Sequence, residues 1–554
     1  MVTFKYSLTL SLCFLIQVIS FAQVNDSLIK DNRIEVIKNF IPILSEAIKI
    51  PVNPNPEKPE ISKPNYTYQI PDQQFSIQPT IYTIKPLSLG TFLLPKLKNN
   101  YTKLGFGNYT SPLFEFYLNS VRNKNTQTGM FIKHISANGD KAYNNFSNST
   151  IYSYVKQFTA NGSYGVDAGY NRNLVNLYGT PNDIKKLSID PKLIYQLFDT
   201  KAFFQNYNKD SSSLTYKLDL GYYNYNGDFK LKNDKVNENN FFVKIRFNKQ
   251  INTLPFELVT GLQVNNTKFS PGNSTGEFNY QRIYFELNPQ LKLSDENFYL
   301  KGGVNFIIAS DSAGTQPYLF PKAEGGYNLI ANKLVVLAGI TGNLKPNTVK
   351  GITGENPFAT NFILNNTINR FEIYGGFKGE LGPMTNFTIM ASSTSVKNLL
   401  FYTHDSVQAN QVTTYDSTYA NLTTISANIN HSIGEKLRLG IGFNVFNYKL
   451  NPTLAHPYSR PGFEVKTNAT YHIADKFILK LDIFYMGQRY SRYLSGTEKK
   501  IDPFVDANFG IDYRYNKNVS VFLNANNIAN NRYQRFYSYP VYGINIMGGF
   551  TFTF

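Results

Sequence analysis

Seven charged residues sit at alternate positions inside otherwise apolar stretches: Lys217 and Asp219 in LTYKLDLGYY, Lys244 and Arg246 in FFVKIRF, Arg438 in LRLGIGF, and Lys480 and Asp482 in FILKLDIFY. A basic group facing lipid near a bilayer midplane costs ~2–4 kcal/mol. Such side chains therefore belong on a wet face. There they either line a lumen and tune which solute or partner it accepts, or pair with one another and fill space. Other chemistry has less to stand on. The histidines are His134, His404, His431, His456 and His472, and none is spaced as a metal ligand set. There is no Gly-x-Ser-x-Gly elbow and no phosphate loop. A barrel hydrolase would need a Ser-His pair on a strand face, with Ser153 or Ser432 as its serine, and nothing in the sequence favours either. No catalytic, cofactor-binding or metal residue is expected, and no cofactor.

The elements that carry the seven charges are strands. Leu218, Leu220 and Tyr222 alternate with Lys217, Asp219 and Gly221, and Phe241, Val243, Ile245 and Phe247 alternate with Phe242, Lys244 and Arg246. The same period of two runs through 437–446 and 477–486. From about residue 100 to 554 such segments succeed one another, separated by Asn, Gly, Asp, Lys and Ser. About 13 candidates lie between 278 and the end, and six to nine between 100 and 270. The stretch 185–208 reads as either a strand or a short helix. Tandem β-sandwiches would show linkers every ~100 residues, and none is visible. One open sheet of this size would curl or split. The expectation is all-β: a large antiparallel transmembrane β-barrel over 99–554 with 20–22 strands, or 16 if several segments are loop hairpins.

Composition agrees. The 554 residues include 40 Tyr and 44 Phe but no Trp, and mean hydropathy is only −0.30. A barrel needs alternating strands and aromatic belts rather than long apolar runs. Residues 1–22 read as a cleaved export signal: Lys5, an apolar run from Leu8 to Ile19, then Ser20-Phe21-Ala22 before Gln23. The single cysteine, Cys13, falls inside that run, preceded by a bulky Leu12 that argues against lipidation. Without it the chain has no disulfide and no thiol chemistry. The net charge of +17 comes from scattered Lys and Arg. It suits anionic lipid and lipopolysaccharide headgroups or a basic lumen, and no nucleic-acid partner is expected.

Residues 23–98 differ from the rest. Ile34, Ile37, Ile41, Leu44 and Ile48 recur at helical spacing, interrupted by Pro42. Nine prolines then punctuate 51–98, which favours an extended segment. The expectation is a periplasmic extension, a handle for a periplasmic or lipoprotein partner or a strand that threads back.

The chain ends YGINIMGGFTFTF. Counting back by twos from the end gives Phe554, Phe552, Phe550, Gly548, Ile546, Ile544 and Tyr542; the other face is small or polar, with Met547 its only large member. Upstream stand Asn526-Asn527-Ile528, Arg532-Tyr533, Tyr539-Pro540 and Gly543. This last tenth of the chain resembles the C-terminal hairpin of TonB-dependent outer-membrane receptors. DIFYMGQRY at 482–490 resembles another strand of that family, and the Asn- and Lys-rich usage resembles its Bacteroidetes members.

The resemblance implies that Tyr542, Phe550, Phe552 and Phe554 form the signal read by the outer-membrane assembly machinery. It also implies a plug domain between signal and barrel. Residues 23–99 are proline-rich and carry no recognisable energy-coupling box, so the expectation is a barrel of this type without the plug. So wide a barrel leaks when empty. Residues 51–98, inward loops such as 340–362, or a partner would have to fill it. Two functions are consistent with this: a solute channel or receptor-type transporter in the outer membrane, or a non-transporting scaffold in an envelope or outer-membrane assembly complex. An outer-membrane enzyme is the weakest reading.

Overall fold

The computed structural model describes residues 100–554 apart from 121–122, 180–184, 186–189, 209–212, 231–232, 273–275, 332, 406–410 and 475. The signal segment 1–22 and the extension 23–98 lie outside the described residues.

Alternation makes each strand, and closure makes the barrel. In chain order the wall is β1 Tyr101–Gly107, β2 Ser111–Asn119, β3 Thr126–Ala137, β4 Phe146–Thr159, β5 Gly162–Asn176, β6 Lys192–Asn206, β7 Thr215–Phe229, β8 Asp234–Ile251, β9 Leu254–Ser270, β10 Phe278–Ser294 and β11 Phe298–Asp311. It continues as β12 Gly314–Ile330, β13 Leu334–Pro346, β14 Asn366–Glu380, β15 Thr385–His404, β16 Gln411–Ile433, β17 Leu437–Lys449, β18 Phe463–Ile473, β19 Phe477–Met486, β20 Phe504–Arg514, β21 Val519–Asn526 and β22 Asn545–Thr553. Each pairs antiparallel with its neighbours, and β22 pairs with β1 from Tyr101↔Thr553 to Gly107↔Met547. The protein is therefore a closed barrel of 22 strands, the upper end of the expected range. Within the ambiguous stretch 185–208, Lys192–Asn206 is strand β6.

The seam between first and last strand is fixed at both ends. Asn100 and Phe554 exchange backbone hydrogen bonds of 3.2 and 3.1 Å. At the other end the Asn108 side chain donates to the Ile544 carbonyl and accepts from the Ile546 N–H.

The two faces differ as the sequence requires. Outward positions such as Leu104, Ile151, Val166, Leu300, Ile373, Ile441 and Phe550 are large, apolar and exposed. Inward positions carry Asn, Gly, Tyr and charge. On the outer face of β7 and β8 the apolar stripe ends at Tyr222, whose hydroxyl donates to Asn239. Beyond it Asn224, Asn226, Asn237 and Asn239 form a hydrogen-bonded ladder. An amide ladder has no place in hydrocarbon. Tyr222 thus marks the bilayer edge, and the strands continue past it into water.

The ends of the barrel differ too. One carries tight turns such as 160–161, 252–253 and 295–297; the other carries the long connections 177–191, 347–365, 450–462, 487–503 and 527–544. Transmembrane barrels of this kind have short periplasmic turns and longer extracellular loops. The long-loop end is accordingly the extracellular mouth.

The face assignment predicts unequal costs for a new charge. Ile441→Lys, on the outer face, should destabilise the barrel in vesicles by ~2–4 kcal/mol. Asn444→Lys, on the inner face of the same strand, should cost clearly less. Urea titration of lipid-reconstituted protein measures both, and equal losses would mean the faces are misassigned.

Candidate functional site

The inner wall divides into a dry upper part at the mouth and a charged lower part. The upper part is organised by the loop between β13 and β14. Pro346 ends β13, and Pro357 bars the backbone from continuing as helix, so the interval holds one short helix, α1, Val349–Glu355. Thr348 caps it by accepting from the Gly351 N–H at 3.0 Å.

A fully buried carboxylate on the barrel wall completes the cap. Glu238 of β8 accepts from the N–H groups of Val349 at 2.7 Å and Lys350 at 3.3 Å. It also accepts from the Tyr223 hydroxyl at 2.9 Å and the Thr267 hydroxyl at 3.2 Å. A carboxylate removed from water needs such a set of donors, and the helix N-terminus adds a favourable dipole.

The neck of the loop is held by Arg282 of β10. Its guanidinium donates to the Asn347 carbonyl at 2.8 Å, the Leu364 carbonyl at 3.4 Å and Asn265 Oδ1 at 2.7 Å. One planar cation thereby grips both ends of the loop, which suits the fixed fork of arginine. The Asn347 amide reinforces the neck, donating to the Asn365 carbonyl and the Thr367 hydroxyl at 2.7 and 2.8 Å. The Thr267 hydroxyl lies 3.2 Å from both Asn265 Oδ1 and Glu238 Oε2, so the neck and the cap belong to one network.

The body of the loop crosses the mouth. Val349 and Ile352 are buried against Leu177, Leu193, Tyr195 and Tyr225 on one side. The Tyr195 hydroxyl donates to the Pro357 carbonyl at 2.8 Å. On the far side Phe358 stacks on Tyr539 at 3.7 Å, and Glu355 pairs with Arg460 at 2.5 Å. The short strand Ala359–Asn361 pairs parallel with the start of β16. The expectation that loops near 340–362 fold inward is met by 347–365. Neither Glu238 nor Arg282 was legible in the sequence, where each looks like one more polar residue in an alternating strand.

A second cation is buried among the extracellular loops. Arg489 donates to the Gln534 carbonyl at 2.7 Å and also to the Arg535 carbonyl, with its guanidinium 5.4 Å from the centre of the Phe504 ring. Burial brings its pKa down to about 10, with the Arg535 charge acting the same way. It remains charged near neutrality, so its role is to hold 527–544 against 487–503.

The seven charges singled out in the sequence fall below this closure, on the inner face, in two groups. Lys217 and Asp219 of β7 form an ion pair at 3.0 Å. They stand opposite Arg246 and Lys244 of β8 in register. Arg246 lies 3.8 Å from Glu257 of β9. The second group is on β17 and β19: Arg438 and Lys480 share one row through Thr470, and Lys480 pairs with Asp512 at 2.6 Å. Asp482 stands one position further along the inner face, opposite Asn468 and Asn508.

Of the terminal aromatics, Phe550, Phe552 and Phe554 project outward and are half exposed. Tyr542 does not belong to their row. The last strand begins at Asn545, and Tyr542 lies in the preceding loop with its ring 5.1 Å from Tyr109 and its hydroxyl bonded to the Asn144 carbonyl. The Asn530 side chain takes the Ile544 N–H at 2.9 Å and ends the ladder there.

The histidines do not converge. His134 lies 2.8 Å from Ser149 rather than near Ser153, with no described carboxylate to orient the ring, and His431 contacts Thr385 at 2.7 Å. Among the described residues no cluster of His, Cys, Asp and Glu is arranged for a metal.

By sequence, no known protein family matches the chain, and no curated protein matches it. By structure it is similar to the ferripyoverdine receptor of the outer membrane of Pseudomonas aeruginosa, at 12% identity and TM-score 0.61, covering 82% of this chain and 72% of that one. It is similar to the ferric-catecholate import receptor Fiu of E. coli K12, at 12% identity and TM-score 0.63, covering 83% and 82%. The FrpB iron transporter of Neisseria meningitidis is similar at 10% identity and TM-score 0.66, covering 83% of each chain. At such identities the likeness is one of fold.

The cap on α1 gives a local test. Glu238→Ala removes a charged acceptor from two helix N–H groups, a loss of ~1.5–3 kcal/mol. Hydrogen exchange at 349–356 should quicken by about tenfold or more, while Glu257→Ala, near the opposite rim, should leave it unchanged. Unaltered protection in Glu238→Ala would show that the carboxylate does not hold the loop.

Proposed function

We propose that the protein is a non-enzymatic, receptor-type transport barrel of the outer membrane. In this reading it reaches the membrane through the cleaved signal at 1–22 and is a Bacteroidetes-type relative of TonB-dependent receptors working without a globular plug. The observation that carries the reading is the wall itself: a closed 22-strand cylinder, apolar outside and ionised inside, in the fold of outer-membrane iron and siderophore receptors.

The loop 347–365 supports the plugless part. It does at the mouth what a plug does elsewhere, covering the water-filled bore with protein. The charged lower wall would then meet a solute once the loop yields. Residues 23–98 would face the periplasm as a handle for a partner. Phe550, Phe552 and Phe554 would serve assembly, since their outward row presents an aromatic strand to the insertion machinery; Tyr542 contributes to loop packing instead.

A tightly latched mouth also suits a scaffold that transports nothing, and conductance separates the two. Replacing 349–358 by a short Gly-Ser linker should raise single-channel conductance in planar bilayers several-fold over the parent chain. If parent and variant are both silent while correctly folded, the transport reading fails and the scaffold stands.

Assembly has its own readout. Deleting Phe554 should lower the amount of heat-modifiable barrel in the outer membrane several-fold without changing synthesis. An unchanged level would remove the terminal aromatic from the signal.

A further inference from the structure

The inner wall across β4 to β8 carries a cavity of about 660 Å³ whose lining includes Tyr154, Lys156, Lys201, Phe203, Phe242 and Lys244. Register explains how they meet. One row across the strands reads Lys156, Gly165, Phe203, Asp219, Lys244, and the next reads Tyr154, Asp167, Lys201, Gly221, Phe242. In each row an aromatic stands directly opposite a glycine. A Cβ added at Gly165 would be 2.7 Å from the Phe203 ring, and one added at Gly221 would run into the Phe242 ring. Each ring thus occupies the space over its glycine and lies along the wall instead of across the bore. This covering of a strand glycine by a cross-strand aromatic leaves the other ring face toward the cavity. The arrangement recurs elsewhere on the inner wall, with Tyr299 over Gly326 and Tyr374 over Gly339.

The charges around these faces are unequal. Lys217 is answered by Asp219 at 3.0 Å, and its ammonium lies 5.8 Å from the centre of Phe203. Lys156, Lys201 and Lys244 make no ion pair with a described carboxylate, although Asp167 stands opposite Lys201 and Asp199 lies one row closer to the mouth. The patch is therefore net positive, with apolar ring faces set flush between lysines. Flat carbon faces bind the carbon face of a ring, and fixed cations bind its acidic group.

We propose that this wall is a binding site for small anionic solutes that carry a ring with an apolar face. The ring lies on Phe203 and Phe242, and the anionic group is held by Lys156, Lys201 and Lys244. Acidic saccharides and aryl carboxylates share this chemistry. The site deepens the transport reading by naming a solute class, and rests on that reading only for the route by which solute reaches the lumen.

Isothermal titration of the purified chain in detergent tests it with three probes: trigalacturonate, 2,3-dihydroxybenzoate and uncharged maltotriose. At least one anion should bind about tenfold or more tighter than maltotriose, and which one does so identifies the source of the ring. Lys201→Gln with Lys244→Gln should bring that anion to the maltotriose level. Phe203→Ala or Phe242→Ala should weaken it about tenfold, and Phe242→Tyr should preserve it. The lysine pair keeps the test open if an alanine variant does not fold. Absence of saturable anion binding, or anions and maltotriose binding alike, overturns the site. Anion binding by a barrel that never conducts would leave the site and remove the transport reading; conductance without anion preference would do the reverse.

Discussion

One constraint governs the whole molecule: backbone amides and carbonyls that enter hydrocarbon have no water to turn to. A chain that crosses a bilayer as strands must therefore satisfy every one of them laterally, and only a closed cylinder does so without an edge. The β1–β22 seam is where this requirement is hardest to meet, because these strands are short, at seven and nine residues. It is met by continuing the ladder past both strand ends, through Asn100 with Phe554 and through the Asn108 side chain. The phenylalanine at the chain end is thus no fraying terminus. Its backbone is held in the ladder while its ring faces outward.

Closing the sheet solves the edge problem and creates another, a bore wide enough to leak. The protein answers with its longest connection, 347–365. A loop laid across a lumen carries its own unsatisfied backbone groups, and these determine which side chains the wall must supply. Arg282 takes the carbonyls at the neck and Glu238 takes the amides at the start of α1. The two are opposite charges serving opposite ends of one peptide problem. Each is buried and neither forms a direct ion pair with the other, so the polar network between them, through Asn265 and Thr267, carries the coupling. Apolar side chains at these two positions would leave the loop backbone orphaned.

A feature is readable in the sequence to the extent that it repeats there. Strand character repeats every two residues over hundreds of positions, so the barrel and the approximate range of its strand number were legible. Tyr542 marks the limit of parity. It continues the alternation of Phe550, Phe552 and Phe554, but Asn530 and Asn108 capture the intervening backbone and end the strand at Asn545. Parity cannot see a side chain that arrives from another loop. Glu238 and Arg282 are invisible for the same reason, since their meaning comes from a segment more than 60 positions away. The aromatic–glycine pairs at Gly165 and Gly221 depend on register, which alternation alone leaves free.

The position of the closure matters to what it can do. On the outer face the apolar stripe stops at Tyr222, and an asparagine ladder takes over. On the inner face of the same strand, Tyr223 and Tyr225 are the residues that meet Glu238 and α1. The seal therefore sits at the level where the wall leaves the bilayer. Had it sat at mid-membrane, any movement of the loop that disturbed the wall would expose backbone to lipid. At this height the strands behind it are flanked by water and amides, which can exchange hydrogen bonds as the loop shifts. The wall below, with its flush rings and lysines, is braced by hydrocarbon and keeps its register. A braced lower wall beneath a seal at the bilayer edge is the division that the proposed passage of a solute would require.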